Sequence, residues 1–237
     1  MEPLGLPSGK RSDGGPVVIR PSDGLTLSDA EEEVCRQAFE RGGLIAFPTD
    51  TVFGLGADAG NPEAIRRLFA AKGRPATKPL PVLIGGPVGL LQCCPDPPAA
   101  AWALAHAFWP GPLTMVVPRS HLVCPEAVAG GDGVGLRYPS LLIACSVVNA
   151  VWGIMAVTSA NLSGGENTVS AAEVLRTLGR SLDVLIDVDV PASGLPSTVI
   201  DLTKSPPRLL RQGAITPEQL TAVVGEIIAP WKDPFVE

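Results

Sequence analysis

The chain has 237 residues, 46% of them hydrophobic, so it can bury a sizeable core, and this composition argues against disorder of the whole chain. Its formal net charge of −6 argues against the broad basic surface that coats nucleic acid, but it does not exclude a local cationic pocket. The sequence shows no signal peptide and no apolar run of the roughly 18 residues that a membrane span needs. We therefore expect a soluble protein.

The five cysteines, an odd number without a C-x-x-C pair, indicate reduced thiols rather than disulfides or a zinc site. Cys93 and Cys94 are adjacent, and we interpret them as core or loop residues rather than as a redox pair. These features predict a cytoplasmic protein.

The predicted elements alternate between strands and helices along the chain. Strands are predicted at residues 16–20, 44–47, 81–84, 113–117, 134–137, 154–158, 184–188, 198–202 and 208–210. Helices are predicted to begin at Ser28, Asn61, Asp96, Leu141, Ser170 and Thr216, mostly with capping residues or an early proline. Residues 48–60 are predicted to form a loop.

This alternation predicts an α/β fold: a twisted mixed sheet, largely parallel, flanked by helices in a single domain. The domain is expected to span residues 16–228, between a flexible N-terminal tail at 1–15 and a C-terminal tail at 229–237. The apolar strand predicted at 154–158 is expected to be central in the sheet.

A cationic segment follows the helix that begins at Asn61. It contains Lys72, Arg74 and Lys78, separated by glycine and proline. Arginine presents a planar fork to phosphate oxygens, and lysine supplies a compact charge. Taken alone, the cluster also fits a solvated basic helix end. The glycine brings the backbone close and the prolines stiffen the segment, which favours an anion site.

Polar loops follow two apolar strands. Thr49, Asp50 and Thr51 come after the first strand, and residues 158–165, with the sequence TSANLSGG, come at the end of the second. Ligands of open α/β sheets bind at strand ends, so these loops are well placed, although ordinary turn chemistry is the alternative for each. Smaller segments of the same kind occur at 197–198 and 211–213.

Several common catalytic motifs are missing from the sequence. Neither G-x-x-x-x-G-K-[ST] nor G-x-G-x-x-G is present. The two histidines, His106 and His121, lie outside any G-x-S-x-G motif, so we interpret them as surface or packing residues rather than members of a triad.

Taken together and in order, these segments resemble the YrdC-like family, the threonylcarbamoyl-AMP synthases. The matching segments are GLIAFPTDTVFGLG at 43–56, KGRP at 72–75, WPGPLT at 109–114, TSANLSG at 158–164, PSTV at 196–199 and LRQG at 210–213. The resemblance implies the YrdC-like fold with a concave central cavity, in a short form without the extra C-terminal domain of longer members.

The resemblance also implies an enzyme, a nucleotidyltransferase that joins L-threonine, bicarbonate and ATP into L-threonylcarbamoyl-adenylate and releases pyrophosphate. Mg²⁺ would accompany the ATP. The product would serve the first step of threonylcarbamoyladenosine formation in tRNAs that read ANN codons. Downstream threonylcarbamoyl-transfer proteins that act on tRNA would then be partners.

Site residues follow from the same resemblance. The implied ATP-binding residues are Lys72, Arg74, Ser159, Asn161, Ser197 and Arg211. Lys72 and Arg74 would stabilise the phosphates, whereas Thr49 and Arg137 would bind threonine. No residue is assigned as a catalytic acid or base, and no metal ligand is assigned.

The chain departs from the family pattern in two segments expected near the substrate. Residues 140–142 are Ser-Leu-Leu where the family usually has an Asp-His-Pro-like stretch, and residues 127–130 carry no hydroxyl. Two other functions stay open at this point. One is a non-catalytic YrdC-like module with weak RNA binding, which the acidic charge and the few aromatic residues disfavour. The other is the related carbamoyl-adenylate chemistry of larger carbamoyltransferases.

Overall fold

The computed structural model of the chain describes residues 15–165, 170–190 and 195–228, and it is built on one ten-stranded sheet. The strands are β1 (Val17–Ile19), β2 (Ile45–Pro48), β3 (Phe53–Ala57), β4 (Val82–Ile84), β5 (Leu113–Pro118), β6 (Gly133–Arg137), β7 (Ile154–Ser159), β8 (Val184–Ile186), β9 (Thr198–Asp201) and β10 (Arg208–Arg211). Their order in the sheet is β1-β8-β2-β3-β7-β4-β6-β5-β9-β10. As predicted, β7 is central.

The sheet is mixed, which confirms the predicted α/β class. Its ladders are more evenly divided than the largely parallel sheet that the sequence indicated. The pairs β1–β8, β2–β8, β4–β6 and β5–β9 are parallel. The pairs β2–β3, β3–β7, β4–β7, β5–β6 and β9–β10 are antiparallel. The main cause of the additional antiparallel pairing is β3, which lies in the segment that was predicted to be a loop and pairs antiparallel with both β2 and β7.

Two glycines explain why β3 escaped prediction. Its sequence, Phe-Gly-Leu-Gly-Ala, has glycine at alternate positions, and glycine is depleted in strands. The packing requires both glycines, because a Cβ at Gly56 would lie 2.1 Å from Met155 Sδ and one at Gly54 would lie 2.9 Å from Val157 Cγ1. Because β7 lies so close, β3 has glycines at positions where a strand normally carries β-branched or aromatic side chains, and the usual sequence signal of a strand is missing.

Seven α-helices cover the sheet within the described residues. They are α1 (Asp29–Glu40), α2 (Pro62–Lys72), α3 (Val88–Cys93), α4 (Ala99–Phe108), α5 (Leu142–Ala150), α6 (Ala171–Leu178) and α7 (Pro217–Val224). The predicted start of α2 is confirmed, since the Asn61 side chain accepts hydrogen bonds from the N–H groups of Glu63 and Ala64. The helix ends at Gly73, whose left-handed backbone (φ 59°) suits glycine. The short α3 was not predicted.

Leu44, which directly precedes β2, and alternate residues of β2 itself belong to two separate hydrophobic cores. Leu44 and Ala46 belong to one cluster, and Ile45 and Phe47 belong to the other. Because successive strand residues point to opposite faces, the sheet is buried on both sides. The first cluster includes buried residues of α2, α4, α6 and α7, and the second includes those of α1 and α5. This double covering leaves the strand ends as the place where polar groups can gather.

Except for residue 15, the predicted tails at 1–15 and 229–237 lie outside the described residues, as does part of the loop that follows β7. The domain limits therefore stay a prediction. Among the helices of the described segments, none combines the length and apolar character needed to cross a bilayer.

Candidate active site

A cavity of about 290 Å³ lies where several strands of the sheet begin or end. The carboxyl ends of β2, β6 and β7 and the amino ends of β3, β5 and β9 contribute to its wall. The lining residues are Thr49, Thr51, Val52, Gly54, Arg74, Pro81, Leu83, Thr114, Arg137, Val157, Thr158, Ser159, Pro196, Ser197 and Arg211. Six of the eight predicted site residues are among them, and the exceptions are Lys72 and Asn161.

The turn after β2 places two hydroxyl groups at the cavity. Thr49 Oγ1 donates to Val52 O (2.6 Å) and lies 3.0 Å from Thr51 Oγ1. The same oxygen accepts from the backbone N–H groups of Thr51 and Val52. Thr49 therefore closes its own turn, which fixes both hydroxyl groups before any ligand binds.

Arg137, at the end of β6, is held from three sides. Its Nε donates to Gly111 O (3.2 Å), and its Nη1 donates to Thr51 Oγ1 (3.1 Å). Its Nη2 lies 2.7 Å from Asp50 Oδ1. This distance is that of a close, buried ion pair. Asp50 therefore supplies the counter-charge of Arg137.

Arg211 and Ser197 form the opposite part of the wall. Arg211 Nη2 donates to Ser197 O (2.9 Å) and to Ser197 Oγ (3.1 Å). Ser197 Oγ also lies 2.8 Å from Thr114 Oγ1. Burial, and then the nearby charge of Arg137, lowers the pKa of Arg211. An anion in the cavity would relieve this unfavourable concentration of positive charge.

Arg74 reaches the cavity from the segment after α2. Its Nη2 donates to Pro79 O (3.0 Å), which turns the guanidinium back across the proline-stiffened loop. Burial lowers its pKa. Lys78, the third cation of this segment, is exposed and does not line the cavity.

Lys72 lies behind the wall and is only 3% exposed. Its ammonium donates to the backbone carbonyls of Ser159 and Asn161 and contacts Asn161 Oδ1 at 3.3 Å. Asn161 Nδ2 in turn donates to Gly165 O (2.7 Å). Burial, and then the charge of Arg74, lowers the pKa of Lys72 to about 8. Lys72 and Asn161 thus hold the end of β7, where Ser159 lies, together with the loop that follows it.

The cavity is cationic in a chain of net charge −6. Three guanidinium groups line it, and no carboxylate belongs to the described lining. The described residues also contain no group of three His, Cys, Asp or Glu side chains that could hold a metal ion. Hydroxyl groups and cations of this kind suit a ligand rich in negative oxygen atoms.

Comparison with known proteins identifies the family of the chain. The Sua5_yciO_yrdC family model, described as "Telomere recombination", matches residues 37–213. The chain belongs to this family. The fold and the family membership expected from the motifs are both confirmed.

Individual members of the Sua5/YciO/YrdC family are substantially similar to the chain. The threonylcarbamoyl-AMP synthase of Pyrococcus abyssi is 43% identical over 187 residues, which are 78% of this chain and 55% of that protein. The synthase of Bacillus subtilis is 34% identical over 207 residues, 87% of this chain and 60% of that protein. The chain therefore spans a little over half the length of these relatives.

A solved structure of P. abyssi Sua5 in complex with L-threonine superposes with a TM-score of 0.82 at 37% identity. The superposition covers 90% of this chain and 61% of that one. The described part of the chain thus reproduces the fold of a family member that binds an amino acid.

Two features of this cavity were not predicted from the sequence. Thr114 was quoted only as part of a motif, yet it bridges to Ser197 inside the cavity. The Asp50–Arg137 pair joins residues that are distant in sequence, and no local pattern signals it. Conversely, neither of the departures at 127–130 and 140–142 contributes to the described lining.

Proposed function

We propose that the protein is a nucleotidyltransferase that synthesises L-threonylcarbamoyl-adenylate from L-threonine, bicarbonate and ATP, with release of water and pyrophosphate. The observation that carries the proposal is the convergence of Arg74, Arg137 and Arg211 on one cavity that no described carboxylate lines. The names of the relatives support the same reaction, as does the threonine-bound neighbour.

We assign the nucleotide to the part of the cavity formed by Arg74, Ser159, Ser197 and Arg211. Arg74 would bind phosphate oxygens directly, since its guanidinium lines the cavity. Lys72 and Asn161 would act on the phosphates indirectly, because they hold the backbone of the loop that follows β7 in place. Threonine would occupy the part of the cavity formed by the Thr49 turn and Arg137.

The chemistry needs charge stabilisation and positioning. Attack on the α-phosphate of ATP places negative charge on that phosphate and on the leaving pyrophosphate, and cations fixed before the reaction stabilise such charge. Holding three small reactants in one cavity also removes much of the entropic barrier to their encounter. The residues of this chain would therefore bind and orient the three substrates and neutralise the negative charge of the phosphates. This role requires no histidine.

Mg²⁺ would enter with ATP as part of the substrate. The described lining offers arginines and hydroxyl groups rather than the carboxylate oxygens that a resident Mg²⁺ prefers. We therefore propose that the phosphates hold the ion and that the protein contributes no carboxylate ligand from the described residues.

We further propose that the product feeds threonylcarbamoyladenosine formation in tRNAs that read ANN codons, through downstream threonylcarbamoyl-transfer proteins. A cytoplasmic setting agrees with the free cysteines at positions 35, 93, 94, 124 and 145, since reduced thiols are typical of a reducing compartment.

The test is threonine-dependent pyrophosphate release in the presence of ATP, bicarbonate and Mg²⁺, with threonine omitted as the control. Wild-type protein should release pyrophosphate only in the complete mixture, and Arg74→Ala should lose most of this activity. Folded protein that releases none would refute the proposal. Salt-dependent RNA binding without turnover would favour the RNA-binding module, and threonine-independent use of carbamoyl phosphate would favour the related carbamoyl chemistry.

A further inference from the structure

Asp50 pairs with Arg137 but has no role of its own in the proposed reaction. We propose that Asp50 positions Arg137 and cancels its charge, so that the amino-acid part of the cavity accepts a zwitterion and rejects free phosphate. Asp50 would thus be a specificity-determining residue that acts through Arg137. The inference rests on the proposed function for the identity of the zwitterion, but its electrostatic part can be tested without turnover.

The geometry supports a positioning role. The side chains of Arg137 and Asp50 are only 8% and 16% exposed, and the nearest atoms are 2.7 Å apart. Gly111 O and Thr51 Oγ1 hold two further nitrogens of the guanidinium. With Nη2 against Asp50, the guanidinium is held in one orientation.

The charge balance supports a selective role. Buried charges are costly unless they are paired, and Asp50 supplies the partner of Arg137. Hydrogen bonds also hold Arg74 and Arg211, but within the described residues these bonds go to neutral carbonyl and hydroxyl oxygens. The cavity therefore has two cations facing neutral partners and one cation facing a carboxylate. Phosphate groups should be drawn to the first two.

The balance of ligand charge points the same way. Asp50 and Arg137 together carry no net charge. A zwitterion is also neutral overall, so its carboxylate can lie beside Arg137, which lines the cavity, while its ammonium offsets that carboxylate. A phosphate would add only negative charge beside Asp50. Rejection through a like charge is a recognised route to specificity.

The first test measures inorganic phosphate binding to the free protein by titration calorimetry at low ionic strength. Asp50→Asn keeps the shape of the side chain and removes its charge, so phosphate should bind at least about tenfold more tightly. The double variant Asp50→Asn with Arg137→Met removes both charges, and it should bind phosphate within about twofold of wild type, because a cancelled pair contributes little.

Asp50→Glu restores the carboxylate and should restore weak phosphate binding. Asp183→Asn is the matched control, because it breaks another Asp–Arg pair, 2.8 Å from Arg67, beside the opposite end of β2. It should leave phosphate binding unchanged. Wild-type phosphate affinity in folded Asp50→Asn would overturn the inference. If Asp50→Asn does not fold, a tenfold loss of affinity in the double variant would overturn it as well.

The second test uses steady-state kinetics. Asp50→Asn should raise the KM for threonine about tenfold with little change in kcat, and inorganic phosphate should become a competitive inhibitor against threonine. A fall in kcat at unchanged KM would contradict the specificity role. Absence of turnover in wild type would count against the proposed function alone, since the phosphate titration tests the role of Asp50 independently.

Discussion

Gly213→Ala is expected to open the cavity wall. Gly213 lies against the backbone of the segment that carries Ser197, and a Cβ at this position would lie 2.2 Å from Pro196 O, 2.5 Å from Ser197 C and 2.6 Å from Thr198 N. Ordinary van der Waals contacts begin at 3.4 Å. All three neighbours are backbone atoms, so the two segments must separate by roughly 1 Å.

The separation has two consequences. It strains the bond from Gly213 N to Thr198 Oγ1, now 2.9 Å, and it draws Arg211 away from Ser197. Overpacking of this kind costs about 3 kcal/mol, which corresponds to a fall in Tm of roughly 6–12 °C for a domain of this size. Since Arg211 is assigned to the nucleotide, the Kd for ATP should rise at least about tenfold.

Differential scanning fluorimetry and ATP titration calorimetry measure the two effects. Gly86→Ala is the matched control, because a Cβ there meets nothing within 4 Å and Gly86 has no positive φ. It should change Tm by less than about 2 °C. If Gly213→Ala matched the control in both Tm and ATP affinity, the close approach of the two segments would be refuted.

Three further predictions follow from other contacts. Because burial lowers the pKa of Lys72 to about 8, kcat/KM should fall as the pH rises through that value, and Lys72→Arg should move the fall to higher pH. In the unfolded chain this lysine keeps its proton up to a pKa of about 10.5. Between about pH 8 and pH 10.5 the unfolded state therefore binds more protons, and the contribution of Lys72 to the free energy of unfolding should increase with pH. Denaturant titrations at a series of pH values measure this change. Arg74→Ala should raise the KM for ATP at least about tenfold in pyrophosphate-release kinetics, while Arg74→Lys retains part of the affinity. Asn61→Ala removes the cap of α2 and should cost about 1 kcal/mol in urea unfolding, with an unchanged KM.

Local chemistry made much of the fold predictable from sequence. The cap at Asn61 and the left-handed Gly73 define both ends of α2. The apolar run that became β7 was expected to be central, and it lies near the middle of the sheet. Hydrophobic periodicity and caps are short-range signals, so they are visible without the tertiary structure.

Tertiary contacts decided the rest. β3 could not be recognised from the sequence, because Gly54 and Gly56 have low strand propensity. Glycine is needed there because β7 leaves no room for a Cβ. The orientation of Lys72 depends on backbone carbonyls in a distant loop, so the sequence predicted a cation near phosphate but not an ammonium behind the wall. The order of the motifs was enough to predict which segments of the chain form the cavity. The direction of the Lys72 side chain and the pairing of Asp50 with Arg137 could be seen only in the structure.

The central claim is that this cavity forms the adenylate of threonylcarbamic acid. The most direct measurement is mass spectrometry of a reaction that contains ATP, L-threonine and ¹³C-labelled bicarbonate. The proposed function predicts a threonylcarbamoyl-adenylate that carries the label and disappears when threonine is withheld. Folded, ATP-binding protein that forms no labelled adenylate would contradict it.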